Sequence, residues 1–275
     1  MKTIFTSLLL ALLCATSLHA AKDFDTLMPD SPKHPPETEA RLNKWFRDSK
    51  FGAFIHFGAY SQLAGKYKGR VTPKHYAEWI QMDLEIPYEE YRKEAVGQFN
   101  PTEFDAEEWV KIFKATGMRH VVITSKHHDG FALFDSACSD YDVMDASPFK
   151  RDIIKELSEA CHKHGLKFGV YYSQAEDWSD PDSPSFARKG MLKSIHPDLP
   201  EGYRRDMDAY IARKALPQIE ELLTNYKIDL IWFDTPRGMT LERAVLFRDA
   251  VRRLNPDCVI NSRLYTMAGA SKKHP

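Results

Sequence analysis

The sequence predicts an α/β fold, specifically a TIM-like (β/α)8 barrel, from three observations. Short apolar strands alternate with amphipathic helices, which is typical of βα units around a parallel sheet. Polar side chains follow strand after strand, and barrel enzymes place their sites at the carboxyl ends of their strands. No GxGxxG or GxxxxGK[ST] motif follows any strand, which disfavours nucleotide-binding folds with a phosphate loop.

The strand count predicts an incomplete barrel with about five βα units. An eight-stranded barrel needs three more strands. Either these lie hidden in residues 59–100 or the chain stops before the barrel closes, and we favour the second explanation. The predicted strands are residues 51–58, 119–124, 167–173, 228–234 and 258–263.

Five helices are predicted from apolar periodicity and from residues that start or stop helices. Asp105 and Glu108 form a capping-box pattern, and Pro217 predicts a kink or break. A long polar excursion over 179–205 contains four prolines, and loops of this length are usually functional or mobile. The predicted helices are residues 37–48, 105–117, 149–164, 206–226 and 240–254.

Composition limits the classes of function. The chain has 275 residues, of which 43% are hydrophobic and 28% charged, and its formal net charge is −1. These values are typical of a globular protein, and the balanced charge argues against nucleic acid or an anionic membrane as the main partner.

The N-terminus predicts export. Lys2 precedes an apolar run over 4–13 and small residues near Ala20, as in a secretory signal peptide over 1–20. A lipoprotein cysteine at Cys14 is the less favoured alternative. A polar segment over 21–37 and a catalytic barrel domain over 38–275 would follow. We expect a periplasmic or extracellular protein without a membrane span.

The densest polar sequence follows the second predicted strand. Lys126, His127, His128 and Asp129 come together at its end, and Gly130 permits the turn that would let both imidazoles face one site. A polar loop in which one histidine packs or caps a helix is the alternative interpretation.

Other predicted strands end in polar or aromatic residues as well. Hydroxyl-binding groups beside aromatic faces suit a polyhydroxylated ligand such as a sugar. Asp234 suits a nucleophile, although it could instead cap a helix or pair with Arg237. Trp232 could be a pocket wall or core filling. The residues at these ends are His56, His127, His128, Tyr171, Trp232, Asp234 and Arg263, with Glu78 and Trp79 on a nearby segment.

Four motifs in order resemble the catalytic barrel of α-L-fucosidases of glycoside hydrolase family 29. The likeness runs from about residue 38 to 263. It implies a (β/α)8-like barrel followed by a β-sandwich, and a retaining exo-hydrolase that releases terminal α-L-fucose from an oligosaccharide or glycoconjugate. The motifs are Ile55-His56-Phe57-Gly58, the segment Lys126 to Phe131, Gly169 to Ser173 with Trp178, and Trp232-Phe233-Asp234.

The resemblance also implies roles for single residues. Asp234 resembles the nucleophile that forms the covalent fucosyl-enzyme. No metal or other cofactor is implied, and nothing indicates an oligomeric state. The residues that resemble the family's sugar contacts are His56, Glu78, Trp79, His127, His128, Tyr171, Trp232 and Arg263.

The chain departs from the family pattern after Arg263. A retaining glycosidase needs a second carboxyl group as acid and then base, and residues 264–275 contain no acidic residue. The acid/base is therefore unassigned, with Glu176 as a less favoured substitute, and we expect a truncated fucosidase. Two alternatives stay open: a metal-dependent barrel hydrolase using His127, His128 and Asp129, and a non-catalytic fucose-binding remnant.

Overall fold

The computed structural model describes residues 35–73, 76–185 and 190–265. The predicted signal peptide, most of the polar segment after it and the last ten residues lie outside these ranges. No helix in the described ranges is both long and apolar enough to cross a membrane.

A five-stranded parallel sheet organises the described residues. The strands are β1 Gly52–Ile55, β2 Lys66–Tyr67, β3 Arg70–Val71, β4 His120–Lys126, β5 Lys167–Tyr172, β6 Leu230–Phe233 and β7 Val259–Ile260. The order in the parallel sheet is β1-β4-β5-β6-β7, and a two-stranded antiparallel hairpin, β2-β3, is separate from it. The predicted α/β class, the parallel sheet and the count of about five strands are confirmed.

Helices connect successive strands of the parallel sheet. The longer α-helices are Pro36–Asp48, Tyr88–Glu94, Ala106–Ala115, Ile153–Lys163, Leu216–Asn225 and Leu241–Leu254. Shorter α-helices cover Ala59–Leu63, Ile80–Asp83, Met191–Ile195 and Met207–Tyr210, with 3-10 turns at Ala77–Trp79 and Val96–Gln98 and a π-helical segment at Ile211–Ala215.

Side-chain caps fix where several of the described helices begin. Asp105 accepts a hydrogen bond from the Glu108 backbone N–H at 2.9 Å, as predicted, and Thr240 accepts one from Arg243 at 3.3 Å. The predicted start at residue 149 is wrong. Asp152 accepts from the Lys155 N–H at 2.8 Å, so the helix begins at residue 153.

The helix predicted over 206–226, with a kink or break at Pro217, is confirmed. It is helical from Met207 to Asn225, and the π-helical segment Ile211–Ala215 interrupts its regular hydrogen bonding just before Pro217. Proline lacks the N–H that a continuous helix would need there. The strand predicted over 258–263 is shorter and covers only Val259–Ile260. Asn261, the next residue, contacts β6 through its side chain, which accepts from the Phe233 N–H and donates to the Phe233 carbonyl.

The two faces of the parallel sheet differ. One face buries alternate apolar residues, and the Phe233 ring lies 5.9 Å from that of Phe247 on the helix Leu241–Leu254. On the other face Phe54 is 42% exposed and contacts Trp232 edge-on at 5.2 Å. The residues that follow the strands on this second face form the candidate site.

Candidate active site

Asp234 follows β6 directly and is held by three contacts. The Tyr171 hydroxyl donates to its Oδ2 at 2.9 Å, and Arg263 Nε donates to its Oδ1 at 2.6 Å. Its backbone N–H donates to Gln174 Oε1 at 2.9 Å. Both carboxylate oxygens are thus fixed by donors, one of which is charged. The alternative roles are not seen: Thr240 caps the next helix, and Arg237 contacts a different carboxylate.

The three predicted histidines meet around Tyr171. The rings of His127 and His128 lie 4.1 Å apart, and His127 stacks on Tyr171 at 5.2 Å with an interplanar angle of 11°. His56, from the end of β1, lies 5.4 Å from His127 and 5.8 Å from Tyr171. The ends of three neighbouring strands therefore form one surface.

Gly130 shapes the turn that brings both adjacent histidines to this surface. Its φ is +80°, and its N–H donates to the carbonyl of His127 at 3.0 Å. A Cβ at this position would lie 2.1 Å from Asp177 Oδ1, so only glycine fits. The register between β4 and β5 also shifts between Thr124 and Lys126, which breaks the alternation just before the histidines.

Burial keeps both adjacent histidines neutral. It lowers the pKa of His128 to about 3 and holds the pKa of His127 well below its usual range, with the neighbouring positive charges adding to the effect on His127. His127 Nδ1 is buried and has no hydrogen-bond partner in the described part of the chain. Neutral imidazoles offer one donor and one acceptor each, which suits hydroxyl groups.

Two tryptophans flank His128. Trp79 lies 5.1 Å from the imidazole and Trp178 lies 5.6 Å from it, while the two indoles are 5.4 Å apart. Glu78 precedes Trp79 in the 3-10 turn and is half-buried, and its charge acts on Tyr60, whose ring contacts that of His127. The loosely matched Glu78–Trp79 pair is therefore at the site's border.

Trp232 lies between the core and the histidines. It is partly buried and packs against the core cluster of Val122, Tyr171 and Leu230. Its ring also contacts Phe54, which stacks on His56 at 5.4 Å. An aromatic surface thus continues from the core to the first histidine.

Glu176 lies under this site with an unusual protonation state. It is 2% exposed, and burial raises its pKa to about 7, with the charge of Asp234 adding to the rise and that of Arg237 opposing it. Arg237 Nε is 3.5 Å from its Oε1. The carboxyl group therefore carries a proton during part of the time at neutral pH.

A buried ionic cluster supports the loops that carry these residues. Asp177 Oδ2 lies 2.9 Å from Nζ of both Lys126 and Lys214. Lys126 also donates to the Tyr210 hydroxyl at 3.0 Å and sits over the Tyr172 ring at 4.6 Å. The two carboxylate–ammonium contacts join the loop after β5 to the end of β4 and to the π-helical segment.

Sequence analysis missed several of these residues. Gln174 was detectable in principle, because it follows β5 as directly as the predicted residues follow their strands. It donates to the carbonyls of Arg263 and Leu264 as well as accepting from Asp234. Lys214 carried no sequence signal, since it lies within a helical pattern far from any strand end.

Asp129, a residue of the metal-dependent alternative, is held by hydrogen bonds within the protein. Asp129 accepts from the Tyr91 hydroxyl at 3.1 Å and from the Phe131 N–H at 3.3 Å. Within residues 35–73, 76–185 and 190–265, no three His, Cys, Asp or Glu side chains are arranged to hold a metal ion.

Comparison with known proteins places the chain in a family. The model of the alpha-L-fucosidase family matches residues 26–272. The chain belongs to the alpha-L-fucosidase family. Its members with solved structures include alpha-L-fucosidase AlfC from Lactobacillus casei, which is 44% identical with a TM-score of 0.75 over 82% of this chain and 69% of that one.

More distant relatives agree with this assignment. An alpha-L-fucosidase from Vibrio sp. strain EJY3 is 34% identical, with a TM-score of 0.74 over 86% of this chain and 39% of that chain. Human plasma alpha-L-fucosidase is 32% identical over 241 residues, and rat tissue alpha-L-fucosidase is 31% identical over 219. This member of the family spans less than half of those two relatives, 44% and 42% of their lengths.

Proposed function

We propose that this chain is the catalytic-barrel part of a retaining α-L-fucosidase, which hydrolyses terminal α-L-fucose from fucosylated oligosaccharides or glycoconjugates. The observation that carries the proposal is Asp234, fixed by Tyr171 and Arg263 beside three clustered histidines. AlfC structures supply further support, since they hold α-L-fucose, 4-nitrophenyl-α-L-fucopyranoside or Fucα(1,6)GlcNAc.

In the proposed mechanism, Asp234 attacks the anomeric carbon of fucose. As the bond from Asp234 forms, the bond to the leaving-group oxygen breaks, and this oxygen either leaves as a phenolate anion or takes a proton from the general acid, whose identity is unassigned. Water then attacks the fucosyl ester and gives up a proton to the same unassigned group, which releases fucose and restores the Asp234 carboxylate. Arg263 and Tyr171 orient the Asp234 carboxylate, because each of them hydrogen-bonds one of its two oxygens.

Sugar binding is assigned to the groups around the nucleophile. His56, His127 and His128 would hydrogen-bond the fucose hydroxyls. The neutral state of the two buried imidazoles gives each of them one N–H and one acceptor nitrogen, and Nδ1 of His128 already bonds Ser173. Trp79 and Trp232 would pack against the apolar parts of the sugar. Glu78 completes the proposed contacts.

The test uses an α-L-fucoside with a strongly activated phenolate leaving group, with and without azide. Such a substrate needs little acid assistance, and azide attacks the fucosyl-enzyme without a general base, so an assigned acid/base is not required. We expect azide-stimulated turnover, with α-fucosyl azide as product, because two successive displacements retain the configuration. Asp234→Ala should abolish turnover without azide and the formation of α-fucosyl azide, since azide in place of the missing carboxylate would give the β-azide. The surface control Asp48→Ala should change neither.

Two outcomes separate the proposal from its alternative. Folded protein that binds fucose without releasing the phenolate would be a fucose-binding remnant. Folded protein that neither binds fucose nor turns over the fucoside would refute both functions. Metal analysis of the same preparation tests the metal-dependent alternative independently.

We also propose that the protein is exported, on the strength of the apolar run after Lys2 and the small residues near Ala20. Expression of the full chain in a bacterium followed by N-terminal sequencing tests this. Cleavage near Ala20 in the periplasmic or medium fraction is expected. Uncleaved protein in the cytoplasm would contradict it.

A further inference from the structure

Behind His128 lies a buried chain of hydrogen bonds that the proposed mechanism does not use. His128 Nδ1 is 2.7 Å from Ser173 Oγ, and Ser173 Oγ is 2.7 Å from the backbone carbonyl of Glu176. All three residues are at most 2% exposed. The side-chain hydrogen bond between the imidazole and the loop after β5 therefore runs through a single hydroxyl group.

The direction of these hydrogen bonds follows from chemistry. A carbonyl oxygen can only accept, so the single hydroxyl proton of Ser173 is committed to Glu176. Toward His128 the hydroxyl oxygen can then only accept, and Nδ1 must carry the proton. Since burial keeps this imidazole neutral, its other nitrogen, Nε2, has a free lone pair.

Nε2 lies on the far side of the ring from Ser173. The ring itself contacts His127, Trp79 and Trp178, and it lies 6.4 Å from the ring of Tyr171, whose hydroxyl donates to Asp234. His128 thus stands among the residues assigned to the sugar. A group with an uncommitted lone pair there accepts a hydrogen bond and does not donate one.

We infer that Ser173 is a positioning residue that locks His128 in the Nδ1–H tautomer, so that Nε2 accepts a hydrogen bond from one hydroxyl of the bound sugar. The assignment of the ligand rests on the proposed fucosidase function. The tautomer does not, because it follows from the hydrogen bonds of the protein alone. At that position, Ser173 thereby favours a ligand group that donates a hydrogen bond.

The first test measures the tautomer directly in the sugar-free protein. Two-bond 15N–1H correlation spectra of the protein with 15N-labelled histidine distinguish Nδ1–H from Nε2–H, and His128→Gln identifies the signal. We expect Nδ1–H in the unsubstituted protein and a changed tautomer or a mixture in Ser173→Ala. Nε2–H in the unsubstituted protein overturns the inference, and so does an unchanged tautomer in folded Ser173→Ala.

A matched control is Ser158→Ala. Ser158 is also buried, and its hydroxyl also donates to a backbone carbonyl, that of Lys227 at 2.9 Å. The Ser158 hydroxyl has no hydrogen bond to an imidazole in the described structure; His162 Nδ1 bonds the Ser158 backbone carbonyl instead, and alanine keeps that carbonyl. The His128 signal should be the same in this variant as in the unsubstituted protein. A change there equal to that in Ser173→Ala would mean a general loss of packing and would overturn the positioning role.

The second test asks what the lone pair recognises. Fucosides in which one ring hydroxyl at a time is replaced by hydrogen or by fluorine are compared as ligands, because a C–F group cannot donate a hydrogen bond. At one position both replacements should weaken binding by about 10-fold, and in Ser173→Ala the loss should shrink there alone. Fluorine retaining the full affinity at every position would overturn the acceptor role. Absence of fucose binding with the expected tautomer would refute the proposed function and leave the tautomer standing.

Discussion

Replacing Asp177 by asparagine should destabilise the protein strongly. The carboxylate is fully buried, and Oδ2 is within 2.9 Å of two ammonium groups, those of Lys126 and Lys214. Burial alone would raise the pKa of Asp177, but the two lysines outweigh it and hold the pKa well below its usual range. Asparagine keeps the shape and leaves two cations without their shared anion.

The magnitude follows from burial. Removing one partner of a buried ion pair costs about 3–5 kcal/mol, because the other charge stays desolvated. With a urea dependence of about 3 kcal/mol per molar, the unfolding midpoint should fall by about 1–1.7 M. The exposed pair of Lys44 and Asp48 provides the contrast, and Asp48→Asn should leave the midpoint unchanged.

Urea titration followed by circular dichroism measures both variants under identical conditions. Combining Asp177→Asn with Lys126→Met should recover part of the lost stability, because one stranded cation is then removed. Equal midpoints for Asp177→Asn and the unsubstituted protein would refute the reasoning, since the cluster would then contribute nothing net. A double variant as unstable as the sum of the single ones would refute the coupling.

Three further changes have defined outcomes. Gly130→Ala should destabilise far more than Gly165→Ala in urea titrations, because both have positive φ but only the first meets a carboxylate; equal effects would contradict this. Burial raises the pKa of Asp129 to about 7, so the contribution of this residue to stability is full below about pH 4 and is lost as the pH rises through 7. Asp129→Asn should therefore flatten the plot of the thermal unfolding midpoint against pH, and an unaltered slope of that plot would contradict this. Tyr171→Phe should lower fucoside turnover by about 10–100-fold, because the hydrogen bond from the Tyr171 hydroxyl to Asp234 is lost. An unchanged rate would mean that this hydrogen bond does not contribute to turnover.

The sequence predicted the strands well because their signal is local. Buried parallel strands are continuous apolar runs, and each ends where polar residues begin, so β4 and β5 were located to within about two residues. Strand ends also identified His56, Tyr171 and Asp234 as neighbours, since the tips of adjacent parallel strands converge. The structure brings these three side chains together.

What the sequence could not show depends on contacts between distant segments. The start of the helix at residue 153 is set by the Asp152 cap, whereas the apolar periodicity began at Phe149. Lys214 and Ser173 contribute through contacts with residues far away in sequence, Asp177 and His128 respectively. The hydrogen bond between His128 and Ser173 joins residues 45 positions apart, and no periodicity in the sequence predicts such a contact.

The π-helical segment Ile211–Ala215 makes one ionic contact depend on chain length as well as on residue type. A π-helical turn accommodates one residue more than an α-helical turn, and each residue of a regular helix rotates the next by about 100°. Deleting one residue here would restore a regular helix and rotate Lys214 away from Asp177. A single-codon insertion or deletion in this segment can therefore form or break the ionic contact between Lys214 and Asp177 without any amino-acid substitution.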